Sequence, residues 1–373
     1  MFDPRPLQLH DDEPDIRWTL PPLRAVEVPA DPRPAWIQED AARLEADFLA
    51  FFIDAMEKGL KPGIKILPTR PIRWQCDHAN AFVLREIMWI ICNAPRGTCK
   101  SDIWSRVLPV RMWIANPTLE QIHGSHELSL VTGFMTDSRR LIRSDWFQAR
   151  WGHLLRFLPD QNQKTFYQLI QGGKRQATST GGGLGKRAGA GFLDDPTTEP
   201  QALSRVENEA AWAWVDKSFI PALNDSAEFP SQLAVSAQRL CEGDIPDRLM
   251  DAYPGRFDLL CVQRRRRFYP APAIPWGQPG FAHRPGQTCT ALSRSGAWVD
   301  DRTVEGQLLD PEYKTEAMVR ALERGPEYWA AQEMQDPIPR SAASGMAWPS
   351  FRRENHGPLD LRNIASQVPS LKS

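Results

Sequence analysis

At 373 residues the chain is long enough for one large domain or two modest ones with a sizeable apolar core. Its 45 Lys and Arg stand against 46 Asp and Glu. That balance excludes a global electrostatic pull toward nucleic acid or an anionic membrane and leaves any such contact to local patches. Six cysteines without CxxC pairing read as reduced thiols, the first residues lack the apolar core of a secretion signal, and no run reaches the roughly 18 apolar residues of a membrane span, so a soluble cytoplasmic protein is expected.

Taken in chain order, prolines crowd the first 35 residues and the region from Pro270 to Pro285, which predicts extended arms or linkers. In "AWIQEDAARLEADFLAFFIDAMEKGLKPG", Leu44, Phe48, Phe52 and Met56 recur every four residues until Lys61-Pro62-Gly63 stops the pattern; this is an amphipathic helix. "CDHANAFVLRE" predicts a second helix leading into "IMWIICNA", an apolar run short enough to be a buried strand. "NAPRGTCKS" follows at once, and beyond it Ile103, Trp104, Val107, Leu108 and Met112 sit at helical spacing. The order is strand, tight loop, helix.

"LSLVTGFMTDSRRLIRSDWFQARWGHLLRFL" reads as helical with aromatic anchors, and "QGGKRQATSTGGGLGKRAGAG" as a glycine-rich loop carrying Lys and Arg. Leu233 to Ser236 and Leu259 to Val262 are candidate strands separated by a helical segment around Ile245 to Met250. The alternation predicts an α/β fold with a mainly parallel central sheet flanked by helices; the near phosphate-binding loop "NAPRGTCKS" between the first strand and its helix makes a P-loop NTPase fold the expectation. No internal repeat is present.

The chemistry centres on the loop. The phosphate-binding pattern GxxxxGK[ST] uses backbone N–H groups and a lysine to hold nucleotide phosphates, while the final hydroxyl reaches Mg²⁺. Here Ala94 and Cys99 replace both glycines, but Lys100 and Ser101 remain. The loop leaves a strand for a helix whose N-terminus offers unpaired N–H groups and the positive end of a dipole. A residue with a Cβ at Cys99 would adopt the backbone that glycine takes freely at a cost of about 1 kcal/mol, which predicts weaker or slower nucleotide handling.

Asp194 and Asp195 end the approach "AGAGFLDDP" as a hydrolysis motif ends a core strand, one carboxylate on Mg²⁺ and its neighbour on the attacking water; two carboxylates before a proline also occur in plain turns. A rival loop, "TGGGLGKR", has Thr180 at the first glycine position and Arg187 at that of the hydroxyl, and reads as a mobile loop; the plainer alternative, a solvated glycine turn, leaves its Lys and Arg free to touch DNA backbone or nucleotide. Arg264 to Arg267 form either a solvated basic run or a grip on DNA phosphates. The histidines and cysteines show no zinc spacing.

Beyond the loop, "RWQCDHANAF", "NAPRGTCKS", "DSRRLIRSDWFQARWG", "DQNQKTFYQLIQGGKRQATSTGG", "FLDDP", "ALSRVENEAAWAWVDKSFIPALND", "SAQRLCEGDIPDRLM", "DRTVEGQLLDPEY" and "EYWAAQEMQDPIP" occur in one order from Arg73 to Pro339. Together they resemble the large terminase subunit of tailed bacteriophages, the motor that pumps DNA into the procapsid. The resemblance implies that "PRGTCKS" is the Walker A loop. Arg96, Gly97, Thr98, Cys99, Lys100 and Ser101 would then bind ATP, with Arg96 the arginine that these proteins carry inside the loop and count among the catalytic residues. It implies Asp194 as the Walker B aspartate on Mg²⁺, Asp195 as the adjoining catalytic acid, and Ser236, Gln238 and Arg239 in the segment that couples hydrolysis to movement near the γ-phosphate. Trp74 and Gln75 would lie near the adenine.

By the same resemblance the partners are double-stranded DNA, a portal protein and a small terminase subunit, with a homo-oligomeric ring docked transiently on the procapsid in the host cytoplasm. Residues 1–70 would form an arm and helix, 71–270 the ATPase core, 271–340 a linker or lid, and 341–373 a tail of low hydrophobic density. The family's nuclease domain is expected to be absent, because only 34 residues follow Pro339. Two departures from the family, Cys99 in place of glycine and the less apolar strand "AGAGF", put turnover in question. A non-hydrolysing scaffold and a P-loop helicase or translocase outside packaging are the alternatives.

Overall fold

A computed structural model describes Asp31 and residues 33–182, 187–224, 230–269, 274 and 286–338. The proline-rich first 30 residues, nearly all of the region from Pro270 to Pro285, the centre of "TGGGLGKR" and the tail after Pro339 lie outside the described residues.

Eight strands form one sheet: β1 Trp89–Asn93, β2 Gln121–Ser125, β3 Phe157–Asn162, β4 Phe166–Leu169, β5 Lys174–Ser179, β6 Ala190–Asp194, β7 Gln232–Ala237 and β8 Asp258–Cys261. Their order across the sheet is β3-β4-β5-β2-β6-β7-β1-β8. From β5 to β8 neighbours run parallel, and only β3–β4 and β4–β5 are antiparallel. The fold is therefore the expected α/β fold with a mainly parallel sheet. The strands inferred around residues 87–94, 233–236 and 259–262 are β1, β7 and β8, and the helix near Ile245 spans Ile245–Ala252.

The first amphipathic stretch folds as α1 (Ala35–Ala46) and α2 (Phe48–Asp54) followed by a π-helical turn over Ala55–Leu60. Leu44, Phe48, Phe52 and Met56 are all buried, as their spacing required. Next come α3 (Arg70–Val83), α4 (Leu108–Ala115), α5 (Leu128–Arg143) and α6 (Asp145–Trp151). One apolar cluster joins α1 to α6 with one face of the sheet; a second, around Trp214, Phe219, Leu233 and Leu259, fills the other face. Among the described residues no helix is long and apolar enough to cross a membrane.

Two readings are corrected. The stretch read as a glycine-rich loop contains β5, whose Lys174–Ser179 pairs with β2 and β4; with only Arg175 and Thr178 buried, and not at alternate positions, it does not look like a strand until its neighbours are known. The run Arg264 to Arg267 is not a simple solvated stretch: only Arg264 is fully buried, the Arg267 side chain is 43% exposed, and all four are engaged by acids. Arg264 lies between Glu333 and Asp310, Arg265 between Glu316 and Glu323, Arg266 on Asp300, and Arg267 on Asp336. Each cation has an internal carboxylate, so the run stitches residues 300–336 to the end of β8.

The less apolar strand "AGAGF" has a packing reason. A Cβ at Gly191 would come within 2.9 Å of Leu223 and 3.2 Å of Leu233 and Phe219, and one at Gly124 in β2 within 2.8 Å of Phe219. Side chains of Phe219 and Leu223, with Leu233 of the neighbouring strand, occupy the space, and all five residues of β6 are buried. Close approach, and not weakness, selects the small residues.

Candidate functional site

The chain leaves β1 at Asn93, turns through residues 94–99 and enters a helix at Lys100. N–H groups of a first helical turn lack intrahelical partners, so the mouth of this helix is suited to an anion. The loop has two left-handed residues, Gly97 at φ +80° and Cys99 at φ +60°. The sequence argument about Cys99 thus meets an actual conformation: a residue with a Cβ sits where glycine is at ease. The Cys99→Gly variant is expected to unfold about 1 kcal/mol less readily in urea, offset in part by the greater freedom of glycine in the unfolded chain. A variant less stable than the parent would mean that the thiol's packing outweighs the strain. Burial pushes the Cys99 thiol up to about 11, so it is a poor nucleophile at neutral pH.

The loop is held from behind. Gln75 on α3 donates to the carbonyls of Pro71 at 2.9 Å and Thr98 at 2.7 Å, Thr98 Oγ1 donates to Pro95 O at 2.8 Å, and Arg264 Nη2 donates to Arg96 O at 3.3 Å. Gln75 and Trp74, expected near the base of the nucleotide, are both buried. Trp74 meets Trp298 edge-on at 5.5 Å, with the Arg302 guanidinium 5.2 Å from its ring. The geometry makes Gln75 a brace for the loop. Arg96 is exposed.

Three adjacent strands, β6, β7 and β1, bring their carboxyl ends to the same place, where ligands of open α/β sheets bind. Lys100 Nζ donates to both carboxylate oxygens of Asp195, at 2.6 and 2.8 Å. Ser101 Oγ donates to Asp194 Oδ2 at 2.9 Å, and Ser236 Oγ donates to the other oxygen of the same carboxylate. Gln238 contributes its backbone N–H, 3.3 Å from Asp195 Oδ1. Residues far apart in sequence, Lys100, Ser101, Asp194, Asp195, Ser236 and Gln238, therefore form one cluster. Arg239 is turned away from it, with Nε 3.0 Å from both oxygens of Asp244 and Nη2 3.1 Å from Asp247.

Burial first, and then the charge of Asp195, push Asp194 up to about 6; Lys100 and the two hydroxyls act the other way. An acid raised on folding contributes stability that is complete below its ordinary value near 3.8 and is lost as pH climbs through 6. Asp194→Asn is accordingly expected to match the nucleotide-free wild type in urea near the acid end. It should exceed it by on the order of 2 kcal/mol above the transition. A gain independent of pH would show that the carboxyl does not titrate there.

The donor set also suits Mg²⁺. A hydroxyl and a buried carboxylate are hard oxygens, and Mg²⁺ takes one or two such protein ligands and completes its octahedron with phosphate oxygens and water. A cation beside Asp194 would favour its ionised form. Among the described residues no group of three or more His, Cys, Asp or Glu forms a metal cage, a different kind of site from this one.

Among solved structures, the chain is similar to the large terminase of bacteriophage HK97, at 12% identity over 80% of this chain and 58% of that one, with a TM-score of 0.42. It is also similar to the large terminase of a thermophilic bacteriophage solved with ADP, at 11% identity over 52% of this chain and 44% of that one, with a TM-score of 0.32. Both are bacteriophage large terminases. The chain spans less than two thirds of either structure it matches. No family model and no curated protein matches the sequence.

One residue of the cluster went unnoticed in the sequence. His126, just past β2, places Nδ1 2.7 Å from the carbonyl oxygen of Asp195. Its only local signal is a histidine following the buried run "QIHGS", which reads as a strand only once Gly124 is known to be packed under Phe219.

Proposed function

We propose that this chain binds ATP at residues 96–101 and hydrolyses it as the motor subunit of a phage DNA-packaging terminase, translocating double-stranded DNA into the procapsid. The observation that carries the nucleotide reading is the meeting of Lys100 and Ser101 with Asp194 and Asp195 at the carboxyl ends of adjacent parallel strands. The packaging role rests on the ordered series of terminase-like segments from Arg73 to Pro339.

In this reading Lys100 exchanges Asp195 for the β- and γ-phosphates of the substrate, and Asp195, released, orients and deprotonates the attacking water. Ser101 and Asp194 would hold Mg²⁺, which supplies charge neutralisation across the phosphates when bound. Gln238, with its backbone on Asp195, stands where a change in the occupancy of the site is felt by the segment after β7. Arg96 is exposed on the loop and in this reading would meet phosphate or a neighbouring subunit of a ring. A portal protein and a small terminase subunit are the proposed partners, on the procapsid in the host cytoplasm.

A non-hydrolysing scaffold is the second reading, favoured by the left-handed Cys99. Phosphate release from ATP, measured with and without double-stranded DNA and Mg²⁺, separates the two. A motor shows slow hydrolysis accelerated by DNA and lost with chelator; a scaffold shows none under any of these conditions.

A further inference from the structure

The backbone of Asp195 is left-handed, at φ +37°, a conformation that a residue with a Cβ holds only under constraint. The constraint is visible. Its N–H donates to Ser236 O at 2.8 Å, and its carbonyl accepts from His126 Nδ1 at 2.7 Å, from His126 N at 3.3 Å and from Ser125 Oγ at 3.4 Å. A carbonyl can only accept, so Nδ1 carries the proton, and the neutral ring is the Nδ1–H tautomer. Of these donors the His126 ring makes the shortest bond. It reaches across from β2, whereas Ser236 holds the residue from β7 on the opposite side of β6.

We propose that His126 is a positioning residue: its Nδ1–H clamps the carbonyl of Asp195 and so, once Lys100 has left that carboxylate for the phosphates, keeps it, with the Gln238 N–H, aimed at the water that attacks the terminal phosphate. The inference rests on the ATPase reading above. Without the clamp the left-handed residue relaxes and the carboxylate swings from its line, and misplacement on the ångström scale costs a general base far more in rate than in substrate affinity.

Three variants of the full chain test it. Asparagine carries a donor at the reach of Nδ1, glutamine at that of Nε2, and alanine carries none. His126→Gln and His126→Ala are expected to lower kcat by about 10- to 100-fold, with KM and the affinity for a nonhydrolysable ATP analogue unchanged, while His126→Asn restores most of the rate. Thermal melting of all four proteins should coincide. Equal rates for the asparagine and glutamine variants, no loss in either glutamine or alanine, or a parallel fall in nucleotide affinity would overturn the proposal.

A second arm needs no turnover. A long-range ¹H–¹⁵N correlation spectrum of histidine-labelled, nucleotide-free protein in alkaline buffer should show the Nδ1-protonated form for the signal that vanishes in His126→Asn, and an Nε2-protonated ring would refute the clamp. If wild type hydrolyses no ATP, the ATPase reading fails by itself, and the spectrum still decides whether the clamp exists.

Discussion

Replacing Lys100 by alanine is expected to abolish ATP hydrolysis, with a loss of at least about 100- to 1000-fold, the range for removing one preorganised group that stabilises transition-state charge. The ammonium is almost wholly buried and engages both oxygens of Asp195, and under the proposed function it is the cation that turns from that acid to the phosphates. Without it the developing charge on the phosphoryl oxygens loses its nearest fixed cation. The same substitution leaves Asp195 and buried Asp194 side by side without a counter-charge, so the nucleotide-free variant should also melt earlier. Mg²⁺ should recover part of that loss by taking the place of the ammonium between the carboxylates. Hydrolysis rates equal in wild type and variant, measured by phosphate release with double-stranded DNA present, would remove the motor reading.

The second large effect is structural. Arg264 is fully buried, 2.7 Å from Glu333 and 2.8 Å from Asp310, both buried as well, and its Nη2 reaches the carbonyl of Arg96. Breaking a buried ion network by removing one member costs about 3–5 kcal/mol, because the remaining charges are left without a partner. Arg264→Met is expected to lose that much in urea unfolding. The triple variant Arg264→Met, Asp310→Asn, Glu333→Gln should recover much of it, since neutral groups of similar shape tolerate burial. If the triple variant is no better than the single one, the arginine matters for its shape and not for its charge. Arg264 also ties residues 310–333 to the loop after β1, so under the proposed function loosening it should weaken nucleotide binding before the fold is lost.

How much of this could be read from the sequence depended on whether the information was local. The helical spacing from Leu44 to Met56, the apolar run of β1 and the pair Lys100-Ser101 are periodic or contiguous, and they gave the strand-loop-helix order directly. The glycine-like position of Cys99 was legible too, since the requirement lies in the loop's own backbone. What stayed hidden were contacts made by the sheet. β2 and β5 carry Gly124, His123 and Arg175 at buried positions, which look unlike strand interiors until Phe219 fills the glycine's space and Arg175 finds Ser138, Ser105 and His123. The four consecutive arginines misled for the same reason: their acids lie 34 to 69 residues further on.

Arg175 has one more consequence. Proline at position 109 has no N–H and crowds the carbonyl four residues back, and the helix answers with a π-helical turn over Asp102–Val107. The oxygen of Ser105, four residues before the proline, accepts from Arg175 Nη2 at 2.7 Å; the Arg106 carbonyl accepts from Ser138 Oγ at the same distance, and Arg175 Nη1 donates to Ser138. Among the described residues the hydrogen-bond acceptors of this wholly buried guanidinium include no carboxylate, so its charge is balanced only by dipoles that must stay aligned. The first turns of the helix are thereby anchored to the far half of the sheet like a fixed jaw. If the chain hydrolyses ATP as proposed, any accompanying movement would fall to the opposite jaw, the tips of β6 and β7 with the turn that follows them.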